Sequence, residues 1–259
     1  MPRSSTPKLI ALALITIMRG GPVRAADTPA SFVPLDMCTT KPCTCADIPM
    51  MERFLANQVN ARDVWKGVEK DLLSGTGPRS LADAAALFNS RFMGDPAVVS
   101  QFQSCPGFDP AKNHLDKVAG ITGFGSAVLD PCFCSAFCRD IILATVAHER
   151  RHPPTIILGV VAYRDYMVGC KVGILSGAIC DIIEPLIIAQ SEVSSYGAGI
   201  DSLQAALNEL KAHDPANTDV ACTWKAIVRE RPTPPLVPPD GFLERLELLL
   251  GRIAHGGGR

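Results

Sequence analysis

Residues 143–155 read LATVAHERRHPPT, and the conformation of that stretch decides how its neighbours are read. Ile141, Ile142, Thr145 and His148 recur near one face at helical spacing, so a helix is expected through AFCRDIILATVAHERRH, capped by Ser135. Pro153 and Pro154 are expected to stop it, because the first disfavours helical geometry at His152 and neither can donate a backbone hydrogen bond.

Downstream, residues 155–170 (TIILGVVAYRDYMVGC) and 171–190 (KVGILSGAICDIIEPLIIAQ) are strongly apolar. The second approaches bilayer-spanning length, but Asp181, Glu184 and Pro185 interrupt it, which favours buried helices over a membrane span. TIILGVVAY reads equally as a buried strand or a buried helix. Pro185 suits the first turn of a new helix continuing through LIIAQSEVSSYGAGIDSLQAALNELKA.

Upstream, Met51, Phe54, Leu55, Trp65, Val68 and Leu72 predict a helix over 49–73. Ser80 with Asp83 three residues on predicts the capped start of a second, SLADAAALFNSRF. Residues 94–131 are rich in Gly, Pro, Asp and Asn and are expected to form a long, locally cross-linked loop region carrying Cys105 and His114. The expected fold is mainly α, a disulfide-stapled helical domain.

The first 25 residues carry Arg3 and Lys8, an apolar run from Leu9 to Met18 and the small residues Val23 and Ala25, the pattern of a secretory signal peptide. The mature chain is therefore expected to be secreted or periplasmic, without a membrane span. It divides into an N-terminal helical and loop region (30–130), a core (131–230), and a tail (231–259) made of the stiff linker RPTPPLVPPD and the amphipathic GFLERLELLLGRIA. All ten cysteines lie beyond the signal, which favours disulfides over the rival reading of Cys132, Cys134 and Cys138 as a thiolate metal site. With 25 basic against 26 acidic residues there is no field to recruit nucleic acid. A serine nucleophile has no support, since no G-x-S-x-G occurs.

His148-Glu149-Arg150-Arg151-His152 has the form H-E-x-x-H. On a helix the two histidines can each point a nitrogen at one zinc ion, while Glu149, about 100° away, can address a water without ligating the metal. A catalytic zinc needs a third protein ligand. Glu192, in QSEVSSYGAG, is the chosen candidate over Glu184, Asp165 and Asp181; Ser195 and Tyr196 share its helical face, and Gly197 and Gly199 allow close approach to the histidine helix. Arg151 lies about 60° from the ligand stripe and needs a partner such as Asp165, Asp181 or Glu184, or else serves a substrate carboxylate. A bland rival makes the histidines and arginines a solvated basic face, with Glu149 paired to an arginine.

HERRH followed forty residues later by EVSSY resembles the zincin metallopeptidases whose third ligand is a glutamate on a downstream helix, and more narrowly the metallopeptidase domains of exported bacterial proteins and toxins. The resemblance covers residues from about 132 to 210. It implies His148, His152 and Glu192 as zinc ligands, Glu149 as general base, and Tyr196 as the group stabilising the oxyanion during peptide-bond hydrolysis. It further implies a peptide or protein substrate and admits an inhibitor or immunity protein as a second partner. Arg150, Arg151 and the two prolines depart from the usual zincin helix. The rival of a different class is an exported disulfide-rich binding or structural protein without catalysis.

Overall fold

Apolar residues at helical spacing from Met51 to Leu72 produce the first long helix of the computed structural model, which describes residues 33–34, 38, 41–109, 120–123, 126–175 and 177–212. Strand β1 (Val33–Pro34) is followed by a short 3-10 turn (Cys45–Asp47) and helix α1 (Ile48–Leu73). Helix α2 (Leu81–Arg91) starts as its sequence requires: Ser80 Oγ accepts from the Asp83 amide at 3.1 Å. The expected signal peptide, His114, and the linker and tail beyond residue 212 lie outside the described residues.

Residues 94–131 are not simply a loop. Asp95 caps helix α3 (Pro96–Gln103), accepting from the amides of Ala97 and Val98, and Pro96 occupies the first turn, where a missing N–H costs nothing. Strands β2 (Gly120–Gly123) and β3 (Ser126–Leu129) pair antiparallel, and β1 joins the other edge of β3 with Val33 opposite Leu129. The glycines, and the proline in the first turn of α3, made this segment look structureless. The fold remains mainly helical, with one three-stranded sheet among the described residues.

Asp130 caps the short helix α4 (Pro131–Ala136), and Cys138, not Ser135, sits at the N-cap of the helix that follows, α5 (Arg139–Ala162). The Ser135 hydroxyl instead donates to the Cys132 carbonyl at 3.1 Å. Pro153 and Pro154 do not end α5, which continues through TIILGVVA and so resolves that stretch as helix. An interior proline typically costs a helix about 3 kcal/mol. Here the helix is held at both ends by burial: Ile141, Ile142, Ala144 and Val146 pack into one apolar cluster, and Val160 and Ala162 pack against another. The Thr155 hydroxyl donates to the Arg151 carbonyl at 2.8 Å, serving a backbone acceptor beside the prolines.

The same override applies to Pro185. After α6 (Arg164–Lys171), a single helix α7 runs from Gly177 to Ala212 with Pro185 inside it, instead of a new helix opening there. Ile183, Leu186 and Ile187 are buried on either side of the proline, and the Cys170–Cys180 disulfide ties the start of α7 to α6. Among the described residues no helix is long and apolar enough to cross a membrane.

Helix α7 packs along both α5 and α1. Its pairing with α5 is antiparallel, as four contacts show: Gly199 faces Ala144, Tyr196 faces His148, Ser191 faces His152, and Ile187 faces Gly159. Two apolar clusters result. One gathers Phe54, Phe102, Phe133, Phe137, Ile141 and Leu203; the other gathers Trp65, Val68, Phe88, Leu186 and Ile187, with Trp65 stacked on Phe88. In chain order along α1 and α5, the buried polar residues Gln58, His148 and Glu149 fall between these clusters, while Ser191 and Ser195 are buried on the facing stretch of α7.

Of the two glycines expected to allow close approach, only Gly199 is in that position. A Cβ there would lie 2.6 Å from Gln58 Oε1 and 3.1 Å from the Ala144 carbonyl, whereas one at Gly197 would meet nothing within 4 Å. Gly199→Ala is therefore expected to destabilise the protein by about 1 to 3 kcal/mol, the usual range for overpacking. Gly197→Ala should be neutral or stabilising by up to about 1 kcal/mol, because alanine is the better helix former. Denaturant midpoints of the two variants test this, and the opposite order of stabilities would contradict the packing.

Cys38 pairs with Cys134, Cys43 with Cys138, Cys105 with Cys132 and Cys170 with Cys180, while Cys45 is also disulfide-bonded. The thiolate metal reading of Cys132, Cys134 and Cys138 is thereby overturned, since all three sulfurs are consumed in separate bridges. Such pairing fits a secreted or extracellular protein. The bridges also fix the histidine helix: Cys43–Cys138 and the bond from the Arg139 amide to the Lys41 carbonyl pin the first turn of α5. Thiol titration of the unfolded, unreduced protein should find no more than a trace of free thiol. Reduction should lower the melting temperature, each bridge contributing about 2 to 5 kcal/mol. Three titratable thiols, or a melting temperature indifferent to reductant, would contradict the stapled fold.

Candidate metal centre

His148 and His152, one turn apart on α5, meet through their Nε2 atoms at 3.0 Å. Across the helix pair, Glu192 on α7 places Oε2 at 3.7 Å from His148 Nε2 and Oε1 at 3.7 Å from His152 Nε2. One ligand atom from each of the three residues lies within 4.8 Å of the others. A tetrahedral metal ion bound by nitrogen and oxygen at about 2 Å has its ligand atoms about 3.3 Å apart; the two ring nitrogens are 3.0 Å apart, and each is approached at 3.7 Å by a different oxygen of Glu192. The donor set suits a borderline divalent cation: two imidazoles and one carboxylate.

Burial decides the charge of this cluster. It drives the basicity of His148 well below the usual imidazole value, with the neighbouring His152 adding to the effect, and lowers His152 to about 4. Both rings are therefore neutral at pH 7, the form a metal requires. Burial, reinforced by the Glu149 carboxylate, pushes Glu192 up to about 8. Burial thus disfavours the ionised form of Glu192, and a cation beside it would favour that form.

Glu149 is 8% exposed, as is His148, so this face of α5 is not the solvated basic surface of the bland reading. The Glu149 charge raises both Glu192 and Tyr196. The Tyr196 ring stands edge-on to the His148 ring at 4.4 Å between centroids. Burial and the two carboxylates push its phenol above the ordinary tyrosine value, so it stays a protonated hydrogen-bond donor at neutral pH.

Two of the three rival carboxylates go elsewhere. Asp165 is exposed and pairs with Arg164 at 3.0 Å, and Asp181 is exposed. Arg151 has no ion pair among the described residues; its Nε donates to Ser194 Oγ at 3.0 Å. Ser194 lies two residues beyond Glu192, about 200° further round α7, so the guanidinium leans to the flank away from Glu192 and Tyr196. Ser194, and not Asp165, Asp181 or Glu184, is thus the partner that Arg151 finds.

Sequence reasoning overlooked the polar groups behind the rings. Ser191 Oγ lies 2.9 Å from His152 Nδ1, while His148 Nδ1 is buried with no hydrogen-bond partner. Gln58, contributed by α1, leaves Oε1 unpaired beside Gly199. A glutamine in an otherwise apolar helical stripe was the available signal. No family model, curated protein or solved structure matches the chain.

Proposed function

We propose that this chain is an exported zinc-dependent metallopeptidase of the zincin type, with His148, His152 and Glu192 holding zinc. The observation that carries the reading is the pair of neutral imidazoles closed by one carboxylate across two antiparallel helices. Bound zinc supplies Lewis acidity, which acidifies water and polarises a substrate carbonyl.

The chain's own residues then do the following. Glu149, buried one residue on from His148, accepts the proton of the attacking water at its carboxylate and returns it to the leaving amine. Tyr196, kept protonated by its surroundings, donates a hydrogen bond to the oxygen on which negative charge develops. A peptide or protein is the substrate class; an inhibitor or immunity protein is the natural second partner for an exported peptidase.

The burial of His148 and Glu149 favours the second reading, in which the neutral cluster is architectural and the protein is an exported binding or structural module. Metal content separates the two. Purified protein is expected to hold close to one zinc per chain and to cleave members of a peptide library. Protein that stays metal-free after incubation with zinc supports the architectural reading.

A further inference from the structure

We propose that Ser191 is a positioning residue for the metal, its hydroxyl accepting the Nδ1–H of His152 and so aiming the bare Nε2 of that ring at the ion. The inference rests on the metal reading above and adds to it a residue that acts through His152 without touching zinc.

A ligand nitrogen carries no proton, so each ring must hold its single proton on Nδ1 when both Nε2 atoms serve one ion. A buried N–H then needs an acceptor. For His152 that acceptor is present: Ser191 Oγ lies 2.9 Å from Nδ1, and Ser191 is fully buried, so water does not compete. Ser191 immediately precedes Glu192, so one turn of α7 delivers both a ligand and the outer support of another.

Without metal the two Nε2 atoms, 3.0 Å apart, share one proton, and either ring can carry it. A hydroxyl both donates and accepts, so Ser191 serves His152 in either tautomer; metal uptake selects the one in which Ser191 accepts. An ionised carboxylate at this position would only accept. His148 has no equivalent, its Nδ1 being buried without a partner. His152 is therefore the ring whose tautomer and orientation the protein fixes.

Ser195 supplies the control. It is as buried as Ser191 and one turn further along α7, but its hydroxyl has no hydrogen-bond partner. Zinc affinity, measured by competition with a chromophoric chelator, should fall about 10- to 100-fold in Ser191→Ala, the usual effect of losing an outer-shell partner, and stay within about twofold of wild type in Ser195→Ala. In zinc-loaded wild type, nitrogen-15 spectra should show an exchange-protected Nδ1–H on His152, and Ser191→Ala should lose that protection. Equal losses in the two variants, or no loss in either, overturn the assignment. So does a zinc-loaded wild-type spectrum without Nδ1–H on His152, whatever the variants do. Wild-type protein that takes up no zinc overturns the metal reading itself, and this inference with it, before any variant is made.

Discussion

His148→Ala and His152→Ala should each reduce zinc uptake from close to one ion per chain to none at micromolar metal. Each removes one of three protein ligands and leaves a two-ligand site, and a structural or catalytic zinc needs at least three. Of the rivals, Asp165 and Asp181 are exposed, and Arg151 is a cation, so none of these three takes the place of a lost ring. Because both rings are neutral in the folded protein, either replacement removes no charge. The metal-free variants should therefore stay folded, with losses of about 2 to 4 kcal/mol from the cavity left by the ring. Zinc content by elemental analysis, read beside a melting curve, separates lost ligation from lost structure. Zinc retained at full stoichiometry by both single variants would sink the site.

The helices of this protein were legible where apolar spacing and capping agreed. Helix α1 runs over Ile48–Leu73 against an expected 49–73, and Ser80 caps α2 as its side chain requires. The failures share one cause, local signals overruled by burial. Pro153, Pro154 and Pro185 each removes a backbone donor, yet α5 and α7 continue because apolar residues on both sides of the prolines are buried. That balance depends on which elements lie alongside, which a single chain read linearly does not reveal. Disulfide pairing was open for the same reason: Cys38–Cys134 and Cys43–Cys138 each join positions more than ninety residues apart.

The candidate site was more legible than the fold around it, because its first layer is periodic. His148 and His152 follow from a spacing of four, and Glu192 and Tyr196 repeat that spacing on α7. Their convergence needed one further condition, an antiparallel pairing in register, and Gly199 against the Ala144 carbonyl supplies it. The support behind the rings carries no such period. Ser191 is one serine among several on α7, and only the 2.9 Å approach of His152 Nδ1 distinguishes it.

Glu149→Gln should lower the rate of peptide hydrolysis by about 10² to 10⁴ while leaving zinc content and melting temperature near wild type. The amide preserves shape and hydrogen-bonding capacity but cannot take a proton from water. Glu149 is not among the residues that close on the metal position, but its charge raises both Glu192 and Tyr196. Removing that charge should also relieve the upward pressure on Glu192, making the ligand carboxylate easier to ionise. Zinc affinity should accordingly be equal or slightly higher in the variant, a direction opposite to that expected if Glu149 were a ligand. Loss of zinc together with activity would reassign Glu149 to the metal. Retention of both would exclude it as the base. Loss of activity with zinc kept is the outcome that only a proton-transfer role accounts for, provided the variant melts as wild type does.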